Sequence, residues 1–174
     1  MNVRVLFLFA ALAAGAAGCG SLHRSEYLAP EAARQAVRSA AVLPLENLTS
    51  RPDVGRIVSE HLATELGNGG VKIVNADAAI KKLDLVSGGT IDRLVALRLG
   101  EMLGVDAVVF GSVAEALDGE GSIGPRKATV GVTLRVLDVK SGDWLLAGSY
   151  SASAGSENGA AAKAATQVAK AVRK

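Results

Sequence analysis

Leu103-Gly104-Val105-Asp106-Ala107-Val108-Val109-Phe110-Gly111-Ser112-Val113 is the stretch whose reading decides the fold. It is a near-continuous β-branched and aromatic run, entered through a glycine directly after a helical pattern. Such a run suits a strand covered on both faces. It is expected in the middle of a sheet, with strands alternating with helices before it and a hairpin meander closed by one helix after it.

Upstream, Ser39 to Leu45 reads as the first strand, ended by Pro44, which cannot donate to a central ladder. Ser50 with Asp53 forms a variant capping box, and Pro52 suits a first helical turn. Val54, Ile57, Val58, Leu62 and Leu66 then recur on one helical face until Gly67-Asn68-Gly69-Gly70 stops the helix. Val71 to Val74 is a short second strand, so the two strands and the helix between them form a βαβ unit with parallel pairing. Asn75 is expected to cap a helix from Ala76 to Leu83, and Ser87-Gly88-Gly89 breaks the chain. Thr90 is read as the cap of the next helix, whose apolar set is Ile91, Leu94, Val95, Leu99, Met102 and Leu103, closed by Gly104.

Downstream the period changes to two. Val130, Val132, Leu134 and Val136 point one way while Thr129, Gly131, Thr133 and Arg135 point the other. Lys140-Ser141-Gly142 is a hairpin loop, Trp144 to Ser153 is the last strand, and Ser156 caps a helix over Glu157 to Lys174. Ala161, Ala164, Ala165, Val168 and Val172 give that helix a narrow small-residue face, which packs closely on its own sheet or on a neighbour. The fold class is therefore α/β (α+β): a mixed β-sheet with element order β-α-β-α-α-β-β-β-α and helices packed on the sheet.

With 174 residues, 49% of them hydrophobic, the chain can bury one core but hardly two. Nineteen basic against seventeen acidic residues leave no basic surface for nucleic acid, and 3% aromatics leave few platforms for stacking on bases. The single cysteine, Cys19, has no partner thiol for a disulfide or a metal site.

Its context explains it. Residues 1–4 carry one positive charge, Val5 to Ala14 is wholly apolar, and Ala16-Ala17-Gly18 supplies the small residues that precede a signal-peptidase cut. That apolar core is shorter than the roughly 20 residues a spanning helix needs. Cys19 directly after Ala-Ala-Gly resembles the bacterial lipobox, in which the cysteine becomes the acylated first residue, although Ala16 stands where leucine is usual. Two or more acyl chains anchor stably, at about 0.8 kcal/mol per buried methylene. Gly20 and Ser21 follow with no aspartate in second place, which in similar lipoproteins accompanies transfer to the outer membrane. The organisation expected is a signal peptide over 1–18, the lipidated Cys19 and a short tether over 19–38, and one periplasmic domain over 39–174.

Chemistry is hard to find. Gly119-Glu120-Gly121-Ser122-Ile123-Gly124 spells G-x-G-x-x-G but leads into an alternating strand instead of opening a helix, so it reads as a hairpin tip. His23 lies in the tether, and His61 sits beside the apolar face of its helix without an identified second ligand. Asn47-Leu48-Thr49 matches a glycosylation acceptor and reads more plainly as a loop at the sheet edge. No catalytic, cofactor or metal residue is assigned. Trp144 and Tyr150, an even number apart, are expected on one face of the last strand, either in the core or as a contact patch.

Several phrases resemble the curli-secretion lipoprotein (CsgG) family and its relatives, LpoB and the TolB-like N-terminal domains. They are Val42 to Thr49, Val54-Gly55-Arg56-Ile57-Val58, Leu103 to Val113 and Leu137 to Asp143, and with the lipobox they span most of the mature chain. The resemblance implies a non-enzymatic outer-membrane lipoprotein with a periplasmic protein-binding domain, a secretion or assembly accessory or, alternatively, an LpoB-like activator of a penicillin-binding protein. Its implied partners are other envelope proteins and further copies of itself. Pore-forming members carry extra hairpins for a transmembrane barrel, and the short, charged, glycine-rich link from Val113 to Ala128 offers none.

Overall fold

The computed structural model describes residues 26–83, 91–117 and 127–173. Its elements run β1 (Glu26–Leu28), α1 (Glu31–Gln35), β2 (Ser39–Val42), β3 (Glu46–Asn47), α2 (Val54–Asn68), β4 (Lys72–Ile73), α3 (Asp77–Lys82), α4 (Arg93–Leu103), β5 (Ala107–Leu117), β6 (Ala128–Asp138), β7 (Trp144–Ala154) and α5 (Glu157–Arg173). The strands form one mixed sheet in the order β1-β7-β6-β5-β2-β4, with β3 pairing β5 beside β2. The strand opened by Gly104 is central as expected. It pairs parallel with β2 and β3 on one side and antiparallel with β6 on the other. β2 and β4, joined through α2, pair in parallel.

The alternation along β5 divides its side chains between two cores. Ala107, Val109 and Val113 face α2 and α5, whereas Val108 and Phe110 face α3 and α4. On α2, Val54, Val58, Leu62 and Leu66 are fully buried, each contributing about 1.5–3 kcal/mol. Opposite them α5 buries Ala160, Ala161, Ala164, Ala165, Val168, Ala169 and Val172, so the small-residue face packs within the molecule, against α2 and the sheet. Its N-terminus is capped by Ser156, whose Oγ accepts from the Gly159 amide at 3.2 Å. The β6–β7 turn places Gly142 at φ 74°, as the hairpin requires.

Several local expectations shift. Residues 26–38, placed in the tether segment, begin the fold instead, and the helical turn or two expected over Glu31 to Val37 is present as α1. β1 adds an edge strand to β7, and α1 docks through Arg34, which is only 7% exposed. β3, two residues long, lies within the loop expected after Pro44. Ser50 does not cap α2. Asp53 precedes that helix at φ 64° without a side-chain cap, and Asn47 organises the loop by accepting from the Thr49 amide at 3.0 Å. Asp92, in place of the expected Thr90, caps α4 by accepting from the Val95 amide at 2.9 Å. Thr90, the break at 87–89 and the 119–124 glycine motif lie outside the described residues, as do Cys19 and the rest of the N-terminal signal.

Asp106, at the mouth of β5, ties β5 to β2. Its Oδ2 accepts from the Arg38 amide at 2.9 Å, the Ser39 amide at 2.8 Å and Ser39 Oγ at 2.9 Å. The Arg38 amide above all holds its carboxyl below the usual carboxylate range; burial, the next-largest effect, opposes it, and the amide and hydroxyl of Ser39 add smaller depressions. A depressed carboxyl stabilises the fold above its unfolded value near ~3.9 and loses that contribution as pH falls through the folded value. Because the group is exposed, Asp106→Ala is expected to cost only about 1 kcal/mol at pH 7. Urea unfolding at pH 7 and at pH 3 checks this: the gap between variant and parent should narrow in acid.

Candidate functional site

The two residues singled out as a contact patch do not share a face. β6 pairs Val136 with Leu146 and Leu137 with Trp144, so Leu145 is an extra residue in β7. This bulge reverses the alternation. Tyr150, 4% exposed, enters the core under α2 and α5, while Trp144 joins the opposite core beside Phe110, ring centroids 5.9 Å apart. The Arg93 guanidinium lies 5.8 Å from the Trp144 ring centre, and its Nε donates to the Gly142 carbonyl at 3.0 Å. Trp144 thus fastens the β6–β7 turn to the start of α4. It is half-buried, and Tyr150 has no surface to offer a partner.

His61 Nε2 meets Asn158 Oδ1 at 2.8 Å, bridging α2 to α5 at the edge of the core. Among the described residues no group of three His, Cys, Asp or Glu side chains could hold a metal ion, and no helix is long and apolar enough to cross a membrane. The distal half of the sheet, on the face that carries Phe110 lower down, presents Ser112, Thr133 and Ser149 in one row and Thr129 beside Ser153 in another. Its hydroxyls satisfy one another, Thr129 Oγ1 to Ser153 Oγ at 2.8 Å and Thr133 Oγ1 to Ser149 Oγ at 3.1 Å.

The surface is more informative at the sheet's margins. Six large hydrophobic residues are exposed among the described ones: Tyr27, Leu28, Leu48, Leu94, Met102 and Leu117. Tyr27 and Leu28 belong to β1, the first strand of the sheet. Leu48 follows β3, its amide donating to the Val113 carbonyl at 2.9 Å, and Leu117 ends β5. Four of the six therefore lie at two opposite margins of one sheet. Sequence periodicity could not reveal this, because edge status depends on which strands pair.

No protein-family model and no curated protein matches the chain. Solved structures do. PelC from Paraburkholderia phytofirmans, whose crystals hold a dodecamer, superposes with a TM-score of 0.63 at 20% identity, covering 86% of this chain and 96% of that one. The chain shares PelC's fold. Partial likenesses, each with a TM-score of 0.48, extend to the lipoprotein GNA1162 from Neisseria meningitidis and to the C-terminal domain of LpoB from Escherichia coli. The first is 23% identical over 66% of this chain and 78% of that one, the second 19% over 67% and 83%.

Proposed function

We propose that the chain is a lipid-anchored accessory protein of the bacterial outer membrane that acts in the periplasm by binding, to envelope proteins and first of all to further copies of itself, and not by catalysis. The observation that carries this reading is the whole-fold likeness to PelC, a protein that assembles as a dodecamer. The lipobox at Cys19 supports the anchor, and the apolar side chains at the sheet margins supply surface for association.

The start of the fold supports a membrane-proximal position for the domain. Because β1 starts at Glu26, only residues 20–25 separate Cys19 from the sheet. At ~3.3–3.6 Å per extended residue they reach about 20 Å. The domain is held against the membrane that receives the acyl chains. A second reading, activation of a penicillin-binding protein, has LpoB as its counterpart among the solved folds, and would require the synthase to come to this membrane-proximal domain.

Fractionated envelopes test the proposal. The native chain is expected in the outer membrane, with its Cys19 residue carrying acyl mass, and amine cross-linking there should give species larger than a monomer. Cys19→Ala should release it from the membrane fraction. A bare thiol on a soluble native chain would overturn the anchor, and a strictly monomeric chain in the membrane would overturn self-assembly. Co-purification of a penicillin-binding protein that is stimulated by the chain would favour the second reading.

A further inference from the structure

Resting on the self-assembly reading, we propose where one copy meets the next: the outer edge of β1 seats against the margin formed by Leu48 and the distal end of β5, residues 114–117, of a neighbouring copy. The two surfaces differ, so the contact is heterologous, the type that closes into rings when the rotation permits.

Three observations converge on these edges. First, among the described strands none pairs with the outer side of β1, and β3 covers β5 only as far as Val113; beyond the bulge at Ala114, residues 115–117 pair among the described strands on the β6 side alone. Second, both margins expose large apolar side chains, Tyr27 at 54% and Leu117 at 55%, joined by Leu28 and Leu48. Neither three-residue β1 nor Ala114-Glu115-Ala116-Leu117 carries the lysine or proline with which edge strands are commonly kept from pairing. Third, the directions agree. β5 and β7 are both antiparallel to β6, and β1 is antiparallel to β7, so β1 runs opposite to β5. A second copy that simply continues the sheet therefore presents β1 antiparallel to β5, its three residues matching the three regular ones at 115–117.

Tyr27 is in register with Ala147, which faces Arg135 and through it Phe110. Seating β1 beside 114–117 thus displaces successive copies along the strands by about five residues, ~17 Å. Strands inclined to a ring axis take up such a stagger, as they do in barrels. Each contact is small, so assembly draws on the repetition of contacts around the ring and on confinement of every copy to one membrane.

Cysteine pairs test the edge directly. The full chain carrying Tyr27→Cys and Leu117→Cys together, treated in isolated membranes with a short bis-maleimide, is expected to give a ladder of cross-linked multimers that neither single variant nor the native chain gives. Leu117→Glu, at an exposed position that the fold tolerates, should lower the yield of amine cross-linked multimers about tenfold at fixed expression. If the native chain is multimeric but the double variant yields no ladder and Leu117→Glu assembles normally, this edge contact is wrong while self-assembly stands. A native chain that is monomeric in the membrane removes the self-assembly reading itself.

Discussion

Gly111→Ala is expected to destabilise the domain by about 3 kcal/mol or more, the largest effect of any single methyl group in this fold. Gly111 lies in the central strand at φ 152°, where a side chain is strained whatever space surrounds it. Space is absent too. A Cβ there would fall 2.0 Å from the Thr133 carbonyl oxygen and 3.0 Å from Leu134 Cα, both backbone atoms of the paired strand β6. A side-chain clash can relax through a rotamer change, but this one requires β5 and β6 to move apart where the two cores meet. Against a total stability of ~5–15 kcal/mol, that loss leaves a marginal domain. Thermal unfolding should show a fall of about 6–12 °C, or the chain should accumulate insoluble. Gly155→Ala is the matched control. Gly155 is exposed at the end of β7 with nothing within 4 Å of its would-be Cβ, and its substitution should change stability by no more than ~0.5 kcal/mol. Equal effects from the two substitutions would refute the steric account.

The same strand shows what could be read from residues alone. Val108, Val109 and Phe110 announce a strand buried on both sides because no polar residue interrupts them, and the structure covers each face with its own pair of helices. The βαβ unit, the hairpin at Gly142 and the cap at Ser156 are likewise local chemistry, in which the deciding residues stand within a few positions of one another. What escaped depends on distant partners. β1 is three residues of a polar, aperiodic stretch and becomes a strand only because β7 offers an edge. β3 is two residues long and exists because β5 outruns β2. The expected pairing of Trp144 with Tyr150 on one face failed on a single inserted residue, Leu145, since a period of two has no memory across a bulge. A motif search for catalytic groups could not find the margins of the sheet either. Their content is four scattered apolar residues, Tyr27, Leu28, Leu48 and Leu117, whose common property is that, among the described strands, a neighbour lies on one side only.

Arg34→Ala is expected to cost about 2–3 kcal/mol and, more tellingly, to free the first twelve described residues from the rest of the fold. Arg34 is the one buried charged side chain among the described residues. Its Nε donates to the Ala29 carbonyl at 2.9 Å, and its Nη1 donates to the carbonyl of Ala171 in the last turn of α5. Those final carbonyls have no partner within the helix, and they form the negative end of its dipole. A guanidinium is suited to the place because its planar fork serves two acceptors at once, so lysine should rescue only partly. Without it, two buried carbonyls lose their donor, and α1 keeps little hold on α5. The opening should be local. The Ala29 amide, which donates to the Leu145 carbonyl at 3.0 Å, should exchange with deuterium much faster in the variant, while amides in the centre of β6 change only by the global loss. Uniform acceleration across the domain would contradict this, since it would make Arg34 an ordinary core contact. The local outcome bears on assembly. β1 supplies one of the two proposed contact edges, and α1 holds the chain that leads back towards Cys19. An Arg34→Ala chain is therefore expected to remain in the membrane fraction while yielding fewer cross-linked multimers, separating anchorage, which depends on Cys19, from association, which depends on a docked β1.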